Sequence, residues 1–402
     1  MRIAFVASRC ILDRRSGAAI DLKIMLEQLA AAGHECHSIT MTRFDGMRAF
    51  PLEQLIGPEH ASERYRHCFL EAWHRNVGHR LFVTGSTRLP DLTREEAEEF
   101  ARGTGGLLRR IRPELVVTTG SDPVSETLHH LAREAGAVVV FYLANPSFTR
   151  TRDFRRVHEC WSPTAAMADY YRETLGLHPR VVPNVLAREQ FLDNAREALP
   201  RVRGNRNYIT LINPSPEKGA TLFFRLAELA AQQRPDLQFL AVEARVSAGE
   251  WRAMGMDPAA RSNITWVRNR RDMRPVYRRT AVLLMPSLWF EAAGRAVVEA
   301  QLSGIPVLAT NRGGLPEQLN GGGFLFEPPE ACVQDFFRMP TADDVQPWLD
   351  TLASLMDDPE AYARASARAR QAAAHFHPDE RVPELTRTLE ATYAAHAGSA
   401  PD

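Results

Sequence analysis

The sequence predicts an α/β protein built from two doubly wound domains, and three observations carry that prediction. Short apolar runs with strand character alternate with segments of helical period along most of the chain. A polar segment interrupts the alternation midway, after which it restarts. The length, 402 residues, exceeds what one ordinary core organises and suits two cores of roughly 200 residues each.

Residues 2–8 read as a short buried strand, followed by a loop and by a helical stretch over 18–31 that Gly33 stops. Apolar runs at 115–119, 137–143 and 157–161 come next, separated by helical segments over 123–134 and 164–175. Strands alternating with helices imply a parallel sheet covered on both faces, so 1–184 is expected to form a Rossmann-like domain. The break begins at Val181-Val182-Pro183-Asn184 and continues through a stretch rich in Arg and Asn that contains Pro200 and Gly204, which makes 185–207 the expected linker. The alternation then resumes over 208–376, with strands at 208–212, 237–242, 264–267, 281–285 and 305–309 and helices at 220–232 and 294–302. From about Asp343 the chain turns helical, over 345–356, 359–376 and 379–394. The last helix is expected to pack back on the first domain, which would take 377–402 with it. Two such domains facing each other would form a central cleft lined by the carboxyl ends of both sets of strands, where open α/β sheets bind ligands.

Composition narrows the function classes. Apolar residues make up 45% and charged residues 24%, the range of folded globular proteins. The 49 basic and 49 acidic side chains cancel, so no overall field draws the protein to nucleic acid. Cys10, Cys36, Cys68, Cys160 and Cys332 lie far apart without metal-ligand spacing and read as reduced, buried thiols. No run approaches the length of a membrane span, and the apolar run 3–7 is closed by Arg9, so a cytoplasmic location is expected. Of the basic residues only Lys23 and Lys218 are lysine. Against such an arginine bias, a retained lysine suggests a position that wants a compact, rotatable ammonium rather than a planar fork.

The densest block of special residues runs from Pro286 to Glu317. A strand ends at Pro286, a loop carries Glu291, and a helix begins near Ala293. The free N–H groups and positive dipole end at Ala293, Gly294 and Arg295 form a seat for phosphate, and Gly294 lets an anion approach the backbone. Glu291 precedes that seat and Glu299 lies more than a helical turn inside it, so two carboxylates would grip hydroxyls on either side of one diphosphate. The plain alternative is a helix-entry acid at Glu291 and a solvated helix acid at Glu299.

This block, Glu-Ala-Ala-Gly-Arg-Ala-Val-Val-Glu over 291–299, resembles the donor-binding signature of the family 4 glycosyltransferases, retaining enzymes of the GT-B architecture, in which seven residues separate two glutamates. The likeness extends through Ser303-Gly304-Ile305-Pro306-Val307 and Asn311-Arg312-Gly313-Gly314-Leu315-Pro316-Glu317. It implies that Glu291 binds hydroxyls of the donor sugar, Glu299 binds the ribose hydroxyls of the nucleotide, and Gly313 and Gly314 let the backbone come near the donor. Asn213-Pro214-Ser215-Pro216-Glu217-Lys218-Gly219, between a strand and a helix, resembles the family's Pro-x-Lys-Gly loop. There Lys218 would neutralise charge building on the leaving diphosphate. A surface turn with an exposed lysine is the alternative.

The chain also departs from the family pattern. Asn213 stands where an arginine is common, which makes Arg245 the candidate for the second positive charge and Arg295 its backup. The loop from Arg14 to Ala19 resembles the family's glycine-containing loop, with one glycine, Gly17, where relatives often have two; the resemblance implies a role beside the donor phosphate, and a plain strand-to-helix turn is the alternative. Ala144 stands where relatives carry a cleft-facing histidine, so Asn145 is taken as its partial substitute. Arg150, Arg152, Arg155 and Arg156, and the arginines among Tyr65, Phe69 and Trp73, are solvated faces, or else contacts for an anionic acceptor or a peripheral membrane surface. His129-His130 lacks metal-ligand spacing and no Asp-x-Asp motif is present, so metal-independent transfer is expected, with no cofactor beyond the donor itself.

The resemblance thus implies a retaining glycosyltransferase that moves a sugar from a nucleotide-diphosphate sugar, a UDP-sugar on family frequency, to an acceptor hydroxyl. A GT-B nucleotide-sugar epimerase and a non-catalytic nucleotide-sugar-binding protein are the competing expectations. The loops expected to meet the acceptor, 45–93 and 145–156, carry no motif that names it.

Overall fold

The computed structural model describes residues 1–45, 49–193, 207–268, 270 and 272–398. Of the expected linker, 194–206 lie outside the described residues. The chain forms two compact units, one of Met1–Val185 with Asp379–Asp402 and one of Leu186–Pro378.

The first unit is built on an eight-stranded sheet. In chain order its strands are β1 (Arg2–Ala7), β2 (Glu35–Met41), β3 (Phe69–His74), β4 (Val77–Phe82), β5 (Leu115–Thr118), β6 (Val138–Tyr142), β7 (Glu159–Ser162) and β8 (Arg180–Val181). Across the sheet the order is β3-β4-β2-β1-β5-β6-β7-β8. β1 pairs in parallel with β2 on one side and β5 on the other, so winding reverses there. β3 runs antiparallel to β4, with Phe69 opposite Phe82.

Because side chains alternate across a strand, β1 supplies two cores. Ile3 and Phe5 pack with Leu26 and Leu29 of the helix Gly17–Ala31, whereas Ala4 and Val6 pack with Phe100, Leu108 and Leu128. Leu385 and Leu389 of the C-terminal helix Pro378–His396 join the first of these cores.

Sequence patterning did not reveal β2, β3, β4 or the helix Arg94–Ile111. β2 and β4 carry buried polar residues rather than apolar runs. Ser38 Oγ lies 2.7 Å from His79 Nδ1, and Arg80 Nη1 lies 2.7 Å from His37 Nδ1, so these side chains pair inside the sheet. The helix Arg94–Ile111 is set by a capping box in which Thr93 and Glu96 exchange hydrogen bonds.

The second unit has six strands: β9 (Tyr208–Ile212), β10 (Gln238–Val242), β11 (Ile264–Val267), β12 (Thr280–Met285), β13 (Val307–Thr310) and β14 (Phe324–Phe326). Their order is β11-β10-β9-β12-β13-β14 and every pairing is parallel. Such strands are buried on both faces and read as continuous apolar runs, as Thr-Ala-Val-Leu-Leu-Met does in β12, every residue of which is buried. β9 pairs with β10 and with β12, so winding reverses at β9 and a crevice is expected at its carboxyl end.

Two expectations need correction. The helix placed at 294–302 begins at Arg295, because Gly294 takes φ 74° and ψ 50° and caps it instead. The five cysteines are free, but only Cys10, Cys36 and Cys332 are buried; Cys68, just before the edge strand β3, is exposed, and Cys160 is intermediate.

Candidate active site

The loops that follow β9 and β12 meet at the reversal point of the second sheet. The first begins at Asn213, whose φ of 61° is a conformation that asparagine tolerates better than most residues. Its side-chain Oδ1 accepts from the Arg245 amide at 3.1 Å, which ties this loop to the one after β10. A single turn, Pro216–Lys218, then leads to Gly219, which opens the helix Ala220–Gln233 with φ 76°. A Cβ at Gly219 would lie 1.9 Å from the Pro286 carbonyl oxygen. Glycine here therefore provides both the left-handed backbone and the contact between the two loops.

That contact is reinforced by the backbone. The Glu217 carbonyl oxygen accepts from the Leu288 and Trp289 amides, each at 3.0 Å. With the loops so joined, Lys218 Nζ donates to Glu291 Oε1 at 2.5 Å, and Ser287 Oγ donates to the same oxygen at 2.6 Å. Ser287 is itself held by Thr310 Oγ1, which donates to its carbonyl oxygen at 2.6 Å. From the far side, the Gly314 amide donates to the Glu291 carbonyl oxygen at 2.8 Å. Gly313, at φ 55°, comes so close that a Cβ would sit 2.3 Å from that oxygen. Glu291 is 5% exposed. A carboxylate so buried is retained where it is paired and hydrogen-bonded, as here.

Ala293 is buried and Gly294 leads into the helix Arg295–Leu302. The Val297 amide donates to the Gly294 carbonyl oxygen at 2.8 Å, and the start of this helix is its positive dipole end. Glu299, 6% exposed, is not a solvated helix acid. Arg295 Nε donates to its Oε1 at 2.7 Å and Tyr277 Oη to its Oε2 at 2.5 Å. Ser303 Oγ caps its carbonyl oxygen at 2.7 Å. Burial and the adjacent Glu299 carboxylate push the Tyr277 phenol well above its ordinary range, so it stays a donor.

The second unit thus brings together Lys218, Glu291, Asn213, Ala293, Gly294, Arg295, Glu299, Gly313 and Gly314. Arg245 stands at the rim of the first loop, its guanidinium 4.0 Å from Glu217. Gly17 and Asn145 lie in the first unit. Gly17 is the first residue of its helix, and a Cβ there would meet nothing within 4 Å. Asn145 Oδ1 accepts from the Ser147 amide at 2.9 Å and from its hydroxyl, so the side chain closes its own turn. Arg150 pairs with Asp153, and His130 with Glu134. His129 is buried against Thr118.

Sequence reasoning missed the supporting residues Thr310 and Tyr277 and gave Ser287 no role. Ser287 stands four residues before Glu291 in the same block and was open to notice. Tyr277 was not, because it precedes β12 in a short turn, Arg274–Tyr277, and meets Glu299 only through the fold. Among the described residues, no group of three or more His, Cys, Asp or Glu is placed to hold a metal ion, and no helix is long and apolar enough to cross a membrane.

Residues 208–339, which hold every second-unit residue named above, match the family model described as Glycosyl transferases group 1. A D-inositol 3-phosphate glycosyltransferase from Corynebacterium efficiens is 31% identical over 133 residues, 32% of this chain and 28% of that protein. An uncharacterized 41.2 kDa protein in the cps region of Klebsiella pneumoniae is 46% identical over 57 residues, 14% of this chain and 15% of that protein. The matched part is thus less than a third of the length of either relative.

Likeness in structure extends over nearly the whole chain. Anabaena HepE, crystallised with UDP-glucose, is 16% identical with a TM-score of 0.67, over 97% of this chain and 100% of that one. Sucrose-phosphate synthase from Thermosynechococcus elongatus is 16% identical with a TM-score of 0.68, over 98% and 100%. Residues 208–339 thus resemble a Glycosyl transferases group 1 domain, and the chain as a whole shares the fold of these solved structures.

Proposed function

We propose that the protein transfers a sugar from a nucleotide-diphosphate sugar to an acceptor hydroxyl, with retained anomeric configuration and without a bound metal ion. The observation that carries this reading is the meeting of Lys218 and Glu291 across the reversal point, with the buried Glu299 one short helix onward. Structural kinship with a protein crystallised with UDP-glucose supports a UDP-sugar as donor.

In this reading Glu299 accepts hydroxyls of the ribose and Glu291 accepts hydroxyls of the sugar. The diphosphate lies between them against the amides at the start of Arg295–Leu302. Lys218 turns from Glu291 toward the diphosphate as charge builds there, a short movement for a single ammonium on a flexible stem. Arg245 adds a second positive charge, with Arg295 as its backup. The acceptor oxygen bonds to the anomeric carbon on the face that the diphosphate leaves. The bond from that carbon to the phosphate oxygen breaks with its electron pair, and that oxygen takes the acceptor proton.

The test is to incubate the protein with UDP-, GDP- and ADP-sugars and follow release of the nucleoside diphosphate. The reading expects release from one class of donor and, by NMR, a product with the donor's anomeric configuration. Binding without release supports a non-catalytic binding protein instead. A changed sugar still attached to its nucleotide supports an epimerase.

A further inference from the structure

We infer that Tyr277 is a positioning residue for nucleotide recognition, fixing the Glu299 carboxylate so that each of its oxygens keeps one acceptor direction for a ribose hydroxyl. The inference rests on the donor reading above, in which Glu299 meets the ribose.

Glu299 is held from two sides by donors of different origin. Arg295, one turn earlier on the same helix, takes Oε1, whereas Tyr277, from the turn before β12, takes Oε2. A carboxylate oxygen accepts two hydrogen bonds. With one donor on each oxygen, the carboxylate plane is fixed and one acceptor direction remains on each. That pattern suits a vicinal diol, which offers two neighbouring hydroxyl donors. A single donor from Arg295 would leave the carboxyl torsion, a broad sp³–sp² rotor, able to swing.

Tyr277 is suited to this work. Its side chain is fully buried among Val276, Leu283 and Val297, so its hydroxyl has little freedom to leave Glu299. Ser303 fixes the backbone of Glu299 from the next turn. Charge-assisted hydrogen bonds of this kind are among the stronger ones.

The experiment compares wild type, Y277F and E299Q. For whichever of UDP, GDP and ADP binds most tightly, calorimetry measures affinity for that nucleotide and for its 2′-deoxy and 3′-deoxy forms. Wild type should prefer the ribonucleotide, and E299Q should lose much of that preference. Y277F should weaken the ribonucleotide by about tenfold, as expected for loss of a hydrogen bond to a charged group, and the deoxy forms much less. In turnover its donor KM should rise more than its kcat falls.

If E299Q keeps the full preference for ribose, or if no nucleotide binds, the underlying donor reading fails and takes this inference with it. If E299Q loses the preference and Y277F keeps it, Tyr277 is only part of the core. Should Y277F not fold, 3-fluorotyrosine at 277 preserves the shape and makes the phenol more acidic. The preference for ribose should then change, and an unchanged preference overturns the inference.

Discussion

At Gly219 the space for a side chain is already taken by the Pro286 carbonyl oxygen, and the backbone is left-handed. Ala at this position must push the two loops apart, and Lys218 is its immediate neighbour. A displacement of about 1 Å in such a site costs on the order of 100-fold in rate. G219A is therefore expected to lower kcat by about that factor while the chain stays folded by circular dichroism. Gly17, where a Cβ meets open space, provides the contrast, and G17A should stay within about threefold of wild type in kcat, since surface changes of this kind are usually mild. At this scale Lys218, Glu291 and Glu299 were legible in the sequence because they sit at fixed spacings inside one loop or one helix. Their supports were not. Tyr277 and Thr310 are 22 and 23 residues from the groups they hold, a separation that no local pattern records.

Among elements, legibility followed burial. β9 and β11 were found at their observed limits because apolar runs in a parallel sheet are hard to mistake. β2 and β4 were hidden because Ser38, His37, His79 and Arg80 make polar pairs within the sheet. That polarity has a consequence for stability. Burial lowers the pKa of His79 in β4 from 6.5 to about 4, and that of His129 in the helix Ser125–Glu134 likewise. Both are neutral in the fold, whereas the unfolded chain takes up their protons as pH falls below about 6.5. Stability is therefore complete above that value and falls between pH 6.5 and 4, by about 3 kcal/mol for each histidine. A Tm series over that range should show the decline, and H129L should make it shallower. The helix Pro378–His396 is a second element to test. Leu389 is fully buried in the first unit's core, so L389A is expected to cost about 2–5 kcal/mol in chemical denaturation.

For the whole molecule, charge and site give a consistent account. Equal numbers of basic and acidic residues leave no general attraction to polyanions, so any diphosphate must be recognised locally. In the proposed reading the second unit offers such a place in Lys218, the start of the helix Arg295–Leu302, and the two held glutamates. The group 1 match covers that unit's site, while the structural likeness extends over both units. The measurement that tests this account most directly is nucleoside diphosphate release by wild type, K218A and E291A, side by side with one nucleotide-sugar donor. The account predicts that each variant falls by about 100-fold or more, the scale for removing a group that stabilises developing charge or positions the reacting sugar. A folded K218A or E291A that turns over at nearly the wild-type rate would contradict it.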